Sequence, residues 1–110
     1  QSNVLIAQYN QSVLNAVREV AQAGIELDGL NRQASMQQAK LTAATVSLDS
    51  AEAHSRRGLL DEASAMEAKL PVLREQARML EIRGRQIHAG ISMSVVLGGG
   101  YEAGEVGVYE

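Results

Sequence analysis

Apolar and small residues recur along the chain in alternating steps of three and four. From Ile6 the series runs through Tyr9, Val13, Ala16, Val20, Ala23, Leu27, Leu30, Ala34, Gln37, Leu41, Ala44 and Leu48 to Ala51, with Gln37 its one polar break. It stops at Arg57-Gly58. A second series then takes Ala63, Met66, Leu70, Leu73, Ala77, Leu80, Gly84, Ile87 and Ile91, flanked mostly by Glu, Arg, Gln and Lys. Such steps average 3.5 residues, the coiled-coil repeat, rather than the 3.6 of a globular surface helix. The pattern predicts an all-α chain: one long antiparallel helical hairpin over 1–97, with arms at about 5–55 and 61–96 and a turn at 56–60. From Gly98 to Glu110 the residues are too rich in glycine and acid for a helix, and a flexible, irregular Gly-rich tail is expected.

Local signals place the turn. Gly58 can take the positive φ of a helix C-terminus, Asp61 can accept free amides at the start of the next helix, and Arg56 and Arg57 complement the negative end of the first. Folding about Gly58 pairs positions whose numbers add to about 116, so Leu48 is expected near Met66 and Leu70, and Leu27 near Ile87 and Ile91. Residues before about Ala16 overhang the second arm. Pro71 lacks an N–H and predicts a bend, with Leu70 and Leu73 in register on either side. Gly24 and Gly29, at about 1 kcal/mol each relative to Ala, mark either a tolerated bend in the first arm or a place where another helix comes close. The first series begins in mid-pattern, with Ser2 or Asn3 as caps only by default, as expected of a piece cut from a longer chain.

Composition sharpens the picture. Among 110 residues there is no Phe and no Trp, so the hairpin must close on a thin seam. Many seam positions are Ala, which let helices approach closely but bury little area each, at about 25 cal/mol per Å². Packing against further helices is therefore expected. A net charge of -3 without a basic stripe disfavours nucleic acid. No run reaches the ~18–20 apolar residues that cross a bilayer as a helix. The absence of cysteine excludes thiolate chemistry and disulfides.

The polar residues do not assemble into a reaction centre. His54 and His88 lie too far apart in the hairpin to share a metal, and each reads as a solvated surface residue. No Ser, His and acid converge, and the glycines at 98–100 follow a helix instead of opening one, so they form no phosphate cradle. No catalytic, cofactor-binding or metal residue is assigned. Glu52, Asp61, Glu62 and Glu67 crowd the turn but are interleaved with Arg56, Arg57 and Lys69, the pattern of a solvated face. Leu59 and Leu60 are the exception. Arg57-Gly58-Leu59-Leu60 reads as a plain interhelical turn, yet the two leucines are large apolar residues at an exposed tip, which a partner surface could cover.

Three stretches carry a resemblance. Tyr9-Asn10-Gln11-Ser12-Val13-Leu14-Asn15-Ala16-Val17-Arg18-Glu19-Val20, Glu52-Ala53-His54-Ser55-Arg56-Arg57-Gly58-Leu59 and Val96-Leu97-Gly98-Gly99-Gly100-Tyr101 resemble, in this order, segments near the C-terminal end of the TolC-like outer-membrane efflux proteins. The likeness spans about 5–101 and is nearest a multidrug-resistance branch of that family. It departs at Ser55, where an aromatic is usual, at Ala63, where leucine is common, and at Tyr101, in place of tryptophan.

The resemblance implies part of the periplasmic α-helical tunnel of an outer-membrane channel in a Gram-negative tripartite export pump. It implies a homotrimer in the full-length protein, a periplasmic adaptor (membrane fusion) protein docking at Ser55, Arg56, Gly58, Leu59 and Leu60, and an inner-membrane transporter reached through that adaptor. Mechanism would be mechanical and non-enzymatic. An isolated piece with an uncovered outer face is expected to self-associate. The alternative is an interaction module outside any channel, either an adaptor hairpin or a coiled-coil spacer. The wider Arg, Leu, Ser spacing of adaptor hairpins is missing between Arg57 and Ser64, and a spacer has no use for Leu59-Leu60 at its tip.

Overall fold

The computed structural model describes the backbone of residues 2–109 and the side chains of residues 2–98. Three helices follow one another: α1, Ser2–Arg56; α2, Glu62–Glu67; and α3, Lys69–Tyr109. The all-α hairpin expected from the heptads is the fold, with no strand among the described residues. Helix α1 begins at Ser2, ahead of the expected start near residue 5. Helix α3 continues to Tyr109, where an irregular tail from Gly98 is expected. Glycine weakens a helix by about 1 kcal/mol per residue but still donates its N–H, and no proline interrupts this stretch.

The chain divides into two compact units, one of Gln1–Gly29 with Gln86–Glu110, the other of Leu30–Arg85. In the second unit, Leu30, Ala34 and Gln37 of α1 are buried, and Leu41, Ala44, Leu48 and Ala51 are half-buried, so the α1 seam is the one the heptads indicate. Across from it lie Ala65, Ala68, Val72, Glu75, Met79 and Ile82, again in steps of three and four. In the first unit the same arrangement sets Val20, Ala23 and Leu27 of α1 as half-buried positions, with buried Ala89 and half-buried Met93 and Val96 on α3. Ile6, Tyr9 and Val13 are exposed.

The second arm thus corrects the expected register. Ala63, Met66, Leu70, Leu73, Ala77, Leu80, Gly84, Ile87 and Ile91 are all exposed. The expected face and the buried one are offset by two residues, which at 3.5 residues per turn sets them about 150° apart around the helix. Both are largely apolar with heptad spacing, so periodicity alone does not say which one meets α1. A side-chain contact marks the stagger: the Gln37 amide donates to the Glu75 carbonyl at 3.0 Å and to the Glu75 carboxylate. Those numbers add to 112, not 116, and Met66 and Leu70 are exposed rather than buried against Leu48.

Pro71 lies inside the first turn of α3, where a missing N–H leaves no helical bond unmade. The interruption falls before it, at Ala68, between α2 and α3. A continuous helix would have the ring of Pro71 clash with the carbonyl of Glu67 and would need an N–H that proline lacks.

The end of α1 is a Schellman motif. Leu59 N–H donates to His54 O at 2.9 Å, Gly58 N–H donates to Ser55 O at 3.0 Å, and Gly58 has φ +75. No other residue in the described chain has positive φ. A Cβ at Gly58 meets no neighbouring atom, so the cost of a side chain there is backbone strain alone. Gly58→Ala is expected to destabilise the hairpin by about 1 kcal/mol, read as a lower denaturation midpoint by circular dichroism. An unchanged midpoint would mean that the turn can abandon the left-handed conformation without loss.

Candidate functional site: the hairpin tip

The tip is built by three local devices. The Schellman motif folds the chain back at Gly58, Asp61 caps α2, and the break at Ala68 joins that short helix to α3. Asp61 has extended backbone, and its carboxylate accepts the Ser64 N–H at 2.7 Å. Hydrogen bonds from the Ser64 hydroxyl and N–H hold the Asp61 carboxyl below its ordinary value. A depressed acid stabilises the fold above its unfolded pKa, so this cap is present at neutral pH and is lost as pH falls through the lowered folded value.

Two clefts flank this turn, both within the unit 30–85. One, of about 470 Å³, is lined by Val46, Ser47, Ser50, Ala51 and His54 of α1 together with Leu59 and Leu60. The other, of about 220 Å³, is lined by Glu52, Ser55 and Arg56 of α1 and by Glu62, Ala65, Met66 and Lys69. The tip residues singled out in the sequence therefore separate by chemistry. Leu59, 68% exposed, and half-buried Leu60 form an apolar wall on one side. Ser55 and Arg56 face a charged cleft on the other, and Gly58 sets the turn between them.

His54 belongs to the apolar cleft and is exposed, as expected of a surface histidine. Its Nδ1 lies 2.6 Å from Ser50 O. A carbonyl can only accept, so Nδ1 carries the proton and donates. That leaves Nε2 as the ring's other polar atom at the cleft. Val46 and Ser50 escaped the sequence reading, which took His54 only as a surface residue, because these three lie about one to three helical turns before Gly58. Only the fold-back of Leu59 onto the last turns of α1 brings them to the same surface. Among the described residues no group of three or more His, Asp or Glu could hold a metal ion, and no helix is long and apolar enough to cross a membrane.

The hairpin thus carries an exposed apolar residue, Leu59, at its tip and two apolar stripes on its second arm. The chain belongs to the outer membrane efflux protein family, whose model matches residues 1–99. It is 45% identical over 105 residues to the multidrug resistance outer membrane protein MdtP of Escherichia coli strain K12, covering 96% of this chain and 22% of that protein. The protein of the same name from Shigella flexneri is 44% identical over 96% of this chain and 22% of its own length. The multidrug resistance outer membrane protein MdtQ of Escherichia coli O6:H1 is 34% identical over 93% of this chain and 21% of its own. The chain thus spans between a fifth and a quarter of the length of these relatives. No solved structure matches it.

Proposed function

We propose that this chain is a wall segment of the periplasmic α-helical tunnel of an outer-membrane efflux channel in a Gram-negative tripartite export pump. The observation that carries the reading is the second apolar stripe. In the unit 30–85, Leu70, Leu73 and Leu80 are exposed about 150° around α3 from its buried seam, and in the other unit Ile87 and Ile91 are exposed likewise. A two-helix module that worked alone would place polar side chains there. Heptad-spaced leucine and isoleucine instead suit a further helix, as in a closed ring where each helix has a neighbour on both sides. The two stripes, about 150° apart around the helix, fit such a wall better than a paired spacer.

On this reading the chain's work is mechanical and no bond is made or broken. The full-length protein is a homotrimer in the outer membrane, and this segment stands in the periplasm. The tip meets a periplasmic adaptor, through which the inner-membrane transporter delivers its cargo. Ser55, Arg56, Gly58, Leu59 and Leu60 form the docking surface, supported by the exposure of Leu59 and by the cleft that it shares with Leu60. An apolar side chain from the adaptor would enter that cleft, while Arg56 and the neighbouring Glu62 and Lys69 orient it by charge.

The test is Leu59→Asp in the full-length protein. Leu59 is too exposed to hold the fold together, so helical content and membrane localisation are expected to be unchanged. Adaptor affinity is expected to fall by about tenfold or more in a pull-down or surface-binding assay, with a matching loss of drug resistance in cells. An adaptor affinity equal to that of the parent would remove the tip from the interface.

A further inference from the structure

We infer that the buried Gln37–Glu75 contact is a stagger pin: it selects the register in which α1 and α3 pair, independently of the turn that joins them. Gln37 is 4% exposed, the one buried polar residue of the described chain, and sits in a seam otherwise made of Leu, Ala, Val, Met and Ile around it. Its amide is bonded twice to a single partner, once to the Glu75 backbone carbonyl and once to the Glu75 carboxylate. Among the described residues no buried side-chain polar atom is left unsatisfied.

The energetics point to selection more than to stability. Exchanging water for protein partners leaves a small net gain for a buried hydrogen bond, whereas orphaning the same groups has a large penalty. A seam of this composition needs such a device. Sliding α3 along α1 by one heptad would again set apolar residues against apolar residues at nearly every level of the unit 30–85. Met79 would come level with Leu41, or Val72 with Ala34, with little change in the chemistry of the layer. The level of Gln37 and Glu75 objects. A slide in either direction sets Gln37 against Ile82 or Ala68 and Glu75 against Leu30 or Ala44, leaving an amide and a carboxylate buried without each other.

The tip cannot be relied on for this choice. It is held to α3 through the break at Ala68, and α2 has only six residues. Any rearrangement of the turn would relax the register of the arms unless something below it held them. Gln37 and Glu75 stand well below the turn and do not depend on it. This inference does not rest on the channel reading, because it concerns the pairing of two arms of one chain.

The experiment releases the turn and asks what still holds the register. No cysteine occurs among the 110 residues, so every thiol in this segment is an introduced one. In the protein expressed at full length in its own membranes, a flexible Gly-Ser insert between Leu59 and Leu60 would supply the slack for a one-heptad slide of about 10 Å. Native stagger is read by oxidative cross-linking of Ala34→Cys with Met79→Cys. Slipped stagger is read by Ala34→Cys with Val72→Cys and by Leu41→Cys with Met79→Cys.

With the pin intact, the native cross-link is expected to exceed each slipped one by about tenfold even with the turn lengthened, and adding Gln37→Leu with Glu75→Leu is expected to bring the yields within about threefold. Gln37→Ala with Glu75→Ala, which matches the alanines nearby, serves as a second unpinned pair. Glu75→Gln, which keeps acceptor oxygens for the Gln37 amide, is expected to retain the native pattern. Slipped cross-links that match the native one while the pin is present, or that fail to rise once it is removed, would overturn the inference.

Discussion

Ile82→Ala is expected to lower the stability of the hairpin by about 2–4 kcal/mol, while Leu80→Ala, two residues away, should change it by less than about 0.5 kcal/mol. Ile82 is 3% exposed and packs in the seam facing α1, so truncation removes buried methyl groups and leaves a cavity. Leu80 is 73% exposed, and alanine there has if anything the better helix propensity. The two residues have similar size and hydrophobicity and differ only in the face they occupy. Denaturation of both variants, followed by circular dichroism at 222 nm under conditions that keep the chain monomeric, makes the comparison direct. A larger loss at Leu80 than at Ile82 would return the seam to the face that the heptads first indicate.

Leu73→Glu combined with Leu80→Glu is expected to abolish assembly and export by the full-length protein while leaving the hairpin itself helical. Both side chains are exposed in this chain, so charge there leaves the α1–α3 seam untouched. In a closed ring of helices the same charges would be buried against a neighbour without a partner, a penalty of several kcal/mol at each copy. The expected readouts are loss of the oligomer band on a native gel and drug susceptibility equal to that of a strain lacking the protein. A fully assembled and active double variant would mean that the stripe faces water, and the wall reading would fall.

The contrast between these two variants marks the limit of reading this chain from its residues. The period of 3.5, the turn at Gly58, the cap at Asp61 and the α1 seam from Val20 to Ala51 are all local or repetitive features, and each is where the residues indicate. The face of α3 is not local. Met66, Leu70, Leu73 and Leu80 are larger and more uniformly apolar than Ala65, Ala68, Val72 and Glu75, so hydrophobicity favours the wrong stripe. In a helix with two apolar stripes the stronger one need not face the nearest helix. Glu75 in particular reads as flank until Gln37 is seen to bond it, and Gln37 reads as a flaw until its partner is known. Pro71 was legible as an interruption, but its consequence falls upstream at Ala68, because a proline acts on the turn before it.

The candidate site divides in the same way. Leu59 and Leu60 could be singled out because large apolar residues at a turn need a reason, and the resemblance added Ser55, Arg56 and Gly58. Their separation into an apolar and a charged cleft could not, since it depends on which side of the Schellman turn each side chain emerges. By itself the sequence determined the helical period, the hairpin, its turn chemistry and its family, because those follow from short-range spacing and from motifs in order. Tertiary structure alone decided the partner face of α3, the stagger held by Gln37 and Glu75, and the composition of the two tip clefts. Those depend on which of several compatible surfaces meet, a choice made by close packing and by the penalty on unpaired polar groups, neither of which spacing along one strand of residues records.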